Sequence, residues 1–210
     1  DITQIKAVVN GAGSAGIAIT KHLIHMGLKN VTMVDRCGIL CEGMEELNSE
    51  QAYMATITNR GHARGSLADA MKGADLFLGV SAPNIVSREM VASMAENPVV
   101  FAMANPTPEI MPDEAKAAGA KVVGTGRSDF PNQIKNVLAF PGIFRGALDC
   151  RAKEINEEMK VAASYAIAGL VSQEELNEEY ILPNALDKRI GQVVAQAVMR
   201  SARETGVARI

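Results

Sequence analysis

Three glycines and one aspartate are spaced as a phosphate-binding turn requires. The stretch VVNGAGSAGIAI, residues 8–19, contains Gly11, Gly13 and Gly16 in the pattern G-x-G-x-x-G, and the run MVDR places Asp35 about twenty residues later. Gly11 would permit a tight turn, Gly13 would let a pyrophosphate approach the backbone, and Gly16 would let a helix lie close to a strand. The spacing predicts a site for a dinucleotide.

The residues beside these glycines predict which dinucleotide is bound. Backbone N–H groups near Ser14 and Ala15 would point at the phosphates, and the helix dipole would favour their negative charge. Asp35 would accept hydrogen bonds from the adenosine ribose and repel a 2′-phosphate, which favours NAD over NADP. Arg36 could instead hold a 2′-phosphate, so NADP stays possible, or it could face solvent and stack on the adenine. The alternative is a structural turn without a ligand, and the position of Asp35 argues against it.

Three further polar stretches are expected at the carboxyl ends of strands, where ligands of doubly wound folds lie. They are VSAPN at 80–84, ANPTPE at 104–109 and the long loop at 126–142. Asn105 precedes Pro106, which favours an extended backbone, and its amide could meet a substrate or the nicotinamide ribose. Asn105 could equally form a simple Asn–Pro turn.

The long loop is rich in polar side chains. It carries Arg127, Asp129, Asn132, Gln133, Lys135 and Asn136. An Arg127–Asp129 ion pair and asparagine caps that brace the loop would explain them without a ligand. No residue of the chain has the setting of a general acid or base, so we assign no catalytic residue.

Apolar runs alternate with helix-period runs, which is the pattern of a parallel α/β sheet. The predicted fold is a doubly wound Rossmann-type sheet with helices on both faces, a sheet core over about 5–142 and a helical carboxyl-terminal segment over about 143–210. The predicted strands are Ala7–Asn10, Val31–Val34, Leu76–Val80, Val99–Met103, Val122–Gly124 and Val137–Phe140. The predicted helices within the core are Ser14–Met26, Glu45–Met54, Leu67–Met71, one capped by Ser87, and Asp113–Ala118.

Composition narrows the function classes. A net charge of −3 provides no basic field, which argues against nucleic acid as a partner. No apolar run approaches the roughly 18 residues of a membrane span, and the first residues do not resemble a signal peptide. The three cysteines fit no zinc spacing, so we interpret them as reduced thiols of a cytoplasmic protein.

Five stretches together resemble the carboxyl-terminal NAD(P)-binding half of malic enzymes, especially the short bacterial kind. They are VVNGAGSAGIAI, VDRCGIL, ANPTPEI, GRSDFPNQIKNVLAFPGIFRGALD and YILPNALDKRI. The resemblance covers essentially the whole chain. It implies oxidation of malate with NAD or NADP and decarboxylation to pyruvate, with Mg or Mn as a Lewis acid, in a homodimer or larger assembly.

The resemblance also implies roles for individual residues. Asn105 and Asn136 would contact malate, and Ser81 and Ala82 would lie near the nicotinamide ribose. The family usually has two adjacent asparagines where this chain has Lys135–Asn136. Its catalytic tyrosine and lysine and its acidic metal ligands lie upstream of the glycine motif, so no metal ligand is expected in this chain. We therefore expect these 210 residues to bind NAD and to turn over no malate by themselves.

Two other functions compete with this one. The chain could be the cofactor domain of an amino-acid or methylene-tetrahydrofolate dehydrogenase, although the GRSDFPNQ run argues against that class. It could also be a free-standing NAD-binding module that regulates a partner without catalysis. Asn105 and Asn136 argue against a pure sensor, because a sensor needs no contacts with malate.

Overall fold

The computed structural model describes residues 1–210 and divides them into two compact units, Asp1–Phe130 and Pro131–Ile210. In the first unit the elements are β1 (Lys6–Asn10), α1 (Ser14–His25), β2 (Asn30–Asp35), β3 (Gly38–Ile39), α2 (Ser49–Ile57), α3 (Leu67–Met71), β4 (Leu76–Gly79), α4 (Arg88–Ala92), β5 (Val99–Ala102), α5 (Pro112–Ala117) and β6 (Val122–Thr125). In the second they are a 3-10 turn (Asn136–Leu138), α6 (Phe140–Asp149), α7 (Glu157–Ala168) and α8 (Arg189–Glu204).

The first unit is built on one six-stranded sheet with the order β3-β2-β1-β4-β5-β6. All pairs are parallel except β2 with the two-residue strand β3. The strand order reverses at β1, which pairs with β2 on one side and β4 on the other. The predicted doubly wound α/β fold is therefore confirmed, with a short antiparallel edge strand that the sequence analysis did not predict.

Successive side chains of each strand point to opposite faces, and both faces are covered. On one face Val8 and Phe77 pack with helix residues such as Met71 and Val91. On the other face Val9, Met33 and Leu78 pack with α1 and α2. Because both faces are buried, the strands consist of nearly continuous apolar residues, as expected for a parallel sheet.

Two predicted elements were wrong in position or type. The run Val137–Phe140 is not a strand: it lies in the 3-10 turn and at the start of α6, where Pro141 occupies the first turn of the helix. Proline is favoured there because its missing N–H has no partner in a helix anyway. The helix predicted over Glu45–Met54 begins at Ser49, because Asn48 and Gln51 form a reciprocal capping box.

The second unit is a helical bundle with its own apolar core. Met159, Val194 and Val198 are fully buried in this core. α6 packs closely on α8, since a Cβ on Gly146 would lie 2.5 Å from the carbonyl oxygen of Ala195. The segment 143–210 is not helical throughout, because residues 169–188 between α7 and α8 form turns.

Candidate dinucleotide site

The turn between β1 and α1 has the geometry that its three glycines predicted. Gly11 has a φ of +107°, and a Cβ there would lie 2.5 Å from the carbonyl oxygen of Val80. A Cβ on Gly16 would overlap the carbonyl oxygen of Gly11, so only glycine lets α1 lie this close to the strand. Both positions are required by the fold, whatever the turn binds.

Gly13 differs from its two neighbours in the motif. Its φ of −83° is open to any residue, and a Cβ there would meet nothing within 4 Å. Folding therefore does not require glycine at this position. The space in front of Gly13 is the space that a ligand's phosphate would need.

The first turn of α1 is an uncapped helix end. Gly13 is the N-cap residue, and no side chain accepts a hydrogen bond from the N–H groups of the first turn. Gly13, Ser14 and Ala15 are all exposed. The first N–H groups of a helix have no partner within the helix, and the helix dipole makes this end attractive to anions.

Asp35 ends β2 and lies against the glycine turn. Its Oδ2 accepts hydrogen bonds from the backbone N–H of Ala12 at 2.9 Å and from Nε2 of Gln51 at 3.3 Å, and its Oδ1 accepts one from the N–H of Arg36 at 2.7 Å. Gln51 also donates to the carbonyl oxygen of Ala12 at 3.2 Å. The carboxylate is therefore held in place before any ligand arrives.

A cavity of about 350 Å³ lies at this edge of the sheet within the first unit. It brings together several residues that the sequence predicted for the cofactor. Its lining includes Gly11, Asp35, Arg36, Ser81 and Ala82, together with Asn10, Val34, Gly38, Ser66, Leu67 and Ile85. The cavity therefore places the Asp35 carboxylate and the Ser81 loop beside the first glycine of the turn.

The predicted substrate residues lie in different units. Asn105 follows β5 in the first unit, is exposed, and precedes a cis peptide bond to Pro106. Its Nδ2 donates to the carbonyl oxygen of Met103 at 3.3 Å. Asn136 begins the 3-10 turn of the second unit and is exposed.

Several polar side chains of the loop at 126–142 make structural contacts, as the explanation without a ligand predicted. Arg127 makes a two-point ion pair with Asp129, at 2.9 Å and 2.7 Å, and this pairing lowers the pKa of Asp129. Asn132 is buried with a φ of +53°, donates to the carbonyl oxygen of Glu178 and accepts from the N–H of Ile181. These side chains hold loops together within their own units.

Two residues that touch the site were not predicted. Gln51 was assigned only to a helix, and Glu109 only to a polar stretch. Glu109 is completely buried and accepts hydrogen bonds from Ser81 and Ala104. Neither contact has a local signal in the sequence, because the sheet brings Glu109 to its partners and the packing of α2 brings Gln51 to Asp35.

The family model for the NAD-binding domain of malic enzyme matches residues 1–203. The chain belongs to the malic enzyme family. It is 56% identical to the bifunctional malic/malolactic enzyme of Bacillus subtilis (strain 168) over 210 residues, which is all of this chain and 51% of that protein. It is 52% identical to the NAD-dependent malic enzyme of Geobacillus stearothermophilus over 208 residues, which is 99% of this chain and 43% of that protein.

A solved structure supports the same family. The malic enzyme of Pyrococcus horikoshii Ot3 superimposes with a TM-score of 0.94 at 40% identity, covering 100% of this chain and 50% of that one. The chain thus spans about half the length of the malic enzymes it matches. Both NAD-dependent and NADP-dependent malic enzymes are among its relatives. The matches favour the malic enzyme family over the other dehydrogenases considered above.

No helix of the chain combines the length and the apolar character needed to cross a membrane. No group of three or more His, Cys, Asp and Glu side chains is placed to hold a metal ion.

Proposed function

We propose that this chain is the cofactor-binding half of an NAD-dependent malic enzyme. The observation that carries the proposal is the open space in front of Gly13, at an uncapped helix end beside a fixed Asp35. The backbone N–H groups of Gly13, Ser14 and Ala15 would bind the pyrophosphate. The adenosine ribose would lie in the cavity between Gly11 and Asp35.

The contacts of Asp35 support NAD as the preferred cofactor. A carboxylate has about four acceptor positions, and Ala12, Arg36 and Gln51 use three of them. The remaining position, on Oδ1, would accept a ribose hydroxyl. A 2′-phosphate about 4 Å away would be repelled by roughly 4 kcal/mol at an effective dielectric constant near 20. The exposed Arg36 is the residue that would favour NADP.

The full-length protein would convert malate to pyruvate and carbon dioxide. Bound NAD would supply the hydride acceptor for the oxidation of malate at C2. Asn105 and Asn136 would bind malate and orient C2, and Ser81 and Ala82 would lie beside the nicotinamide ribose. Lys135 stands where the family usually has a second asparagine, so its contact with malate would differ from the family's.

The remaining catalytic groups would come from the other half of the protein. On the resemblance to the family, we place the acidic ligands of Mg or Mn, the tyrosine and the lysine in that other half. We also propose a homodimer or larger assembly in the cytoplasm, on the resemblance to the family.

Two measurements test this function. Calorimetric titration of residues 1–210 should show binding of NAD that is tighter than binding of NADP. The same chain should produce no NADH from malate, whereas the full-length protein should do so when Mg or Mn is added. Absence of NAD binding would overturn the proposal, and NADH production by the 210 residues would overturn the division of the active site.

A further inference from the structure

A buried glutamate lies directly behind the proposed nicotinamide end of the site. Glu109 is 0% exposed, and its carboxylate lies against the end of β4 at Gly79. A Cβ on Gly79 would come within 2.6 Å of Oε1 and 2.8 Å of Oε2. The strand therefore ends in glycine at the point where the carboxylate needs the space.

The carboxylate receives only hydrogen-bond donors. Oε1 accepts from the N–H of Ser81 at 2.8 Å and from its hydroxyl at 3.1 Å, and Oε2 accepts from the N–H of Ala104 at 3.0 Å. The side chain of Asn10 donates to the same Ser81 hydroxyl at 2.7 Å, which directs the hydroxyl proton toward Glu109. The buried Glu109 side chain thus joins the loops that follow β4 and β5, and the Ser81 hydroxyl links them to the end of β1.

Backbone hydrogen bonds also join the two loops that Glu109 connects. The N–H of Asn84 donates to the carbonyl oxygen of Pro108 at 3.1 Å, and the N–H of Val86 donates to that of Glu109 at 3.0 Å. The loop that carries Ser81 and the loop that carries Ala104 are therefore fixed to each other. Asn105 directly follows Ala104.

We infer that Glu109 is a positioning residue for the nicotinamide half of the cofactor. It holds the Ser81 loop and the Asn105 loop in one arrangement, and its side-chain hydrogen bonds go to these loops and not to Asp35 or the glycine turn. This inference rests on the proposed function, in which Ser81 and Ala82 lie beside the nicotinamide ribose and Asn105 binds malate next to it.

Glutamine cannot replace this carboxylate although it has the same shape. Its amide has one acceptor oxygen and one NH₂ group, which only donates. In one orientation the NH₂ faces the N–H of Ser81, and in the other it faces the N–H of Ala104. Either way two donors meet in a buried place, and one loop must move.

The test compares two ligands that share the adenosine and pyrophosphate. NAD and ADP-ribose are titrated by calorimetry into the unmodified chain and into the variants Glu109→Gln and Glu109→Asp. The aspartate variant keeps the charge but is one methylene too short to reach both loops. Glu114→Gln, an exposed glutamate beside Arg88, is the matched control. Thermal unfolding of each variant shows that the titrations are made on folded protein.

The expected result is a split between the two ligands. Both Glu109 variants should lose about tenfold or more of their affinity for NAD, equivalent to about 1.4 kcal/mol, and keep ADP-ribose affinity within about twofold. The control Glu114→Gln should keep its affinity for both ligands. If a Glu109 variant keeps its affinity for NAD, or loses affinity for NAD and ADP-ribose equally, the positioning role is wrong while the proposed function stands. If the unmodified chain binds neither ligand, the proposed function fails and this inference with it.

Discussion

Gly13 offers a substitution that separates ligand binding from folding. In Gly13→Ala the new methyl group would point into space where no protein atom lies within 4 Å, and the backbone at φ −83° accepts alanine. Alanine is a poorer N-cap residue than glycine, but it also restricts the unfolded chain by about 0.4–1 kcal/mol. We therefore expect a change in the free energy of unfolding within about 1 kcal/mol, or about 4 °C in Tm.

The effect on the cofactor should be much larger. A phosphate oxygen that bonds to the N–H groups of the turn would collide with the methyl group and be displaced from hydrogen-bond distance. A hydrogen bond to a charged group contributes roughly 1.5–3 kcal/mol. Loss of one such bond would weaken NAD binding by about 10- to 150-fold.

Calorimetric titration with NAD and thermal unfolding of the same samples measure both effects. Gly61→Ala is a suitable control, because Gly61 also meets nothing within 4 Å of an added Cβ and has no positive φ. It should change neither NAD affinity nor Tm appreciably. If Gly13→Ala folds and binds NAD within twofold of the unmodified chain, the phosphate does not approach this turn, and the assignment of the site is refuted.

Three further substitutions test other parts of the fold and site. Gly16→Ala should lower the free energy of unfolding by about 3 kcal/mol or more, because the new methyl group would overlap the carbonyl oxygen of Gly11. Urea denaturation measures this change, and a near-normal free energy of unfolding would contradict the close packing of α1 on the turn. Asp35→Asn removes the charge and also disturbs the donors that bind the carboxylate, a loss that both cofactors share. The ratio of the NADP to the NAD dissociation constant should therefore fall at least about tenfold, and an unchanged ratio would show that this carboxylate does not select the cofactor. Hydrogen bonds from the backbone N–H of Ser66 and from Lys72 lower the pKa of Asp69 below its ordinary 3.8, so its contribution to stability is complete above about pH 4 and is lost as the pH falls further. Asp69→Asn should therefore lose less free energy of unfolding than the unmodified chain between pH 5 and pH 2, measured by urea denaturation at each pH, and an equal loss in both proteins would count against these hydrogen bonds.

Local chemistry explains which elements could be predicted from the sequence. The helix Leu67–Met71 was predicted with its observed ends, because Gly73, which has a φ of +64°, follows its end. The run Val137–Phe140 was predicted wrongly, since four apolar residues have no period that distinguishes a strand from a helical turn. The strand Gly38–Ile39 is too short to have any pattern.

Local sequence patterns likewise decide which residues of the candidate site could be predicted. The geometry of the glycine turn and the position of Asp35 beside it could be predicted, because the motif is local and Gly11 and Gly16 stand where a Cβ would not fit. Glu109 could not, since its partners Ser81 and Ala104 belong to two different loops and only the sheet brings them together. Gln51 could not either, because its contact with Asp35 depends on how α2 packs beside the turn.

The central place of β1 has a consequence for how the chain is made. Of the strands in this sheet β1 is synthesised first, yet one of its two neighbours, β4, ends only at Gly79. Asn10 reaches Ser81, 71 residues further on. Closing so long a segment is a slow kind of folding event. The side of the cavity that carries Ser81 and Ala82 therefore forms late, and a nascent chain that ends before Ser81 has the glycine turn and Asp35 but lacks these lining residues.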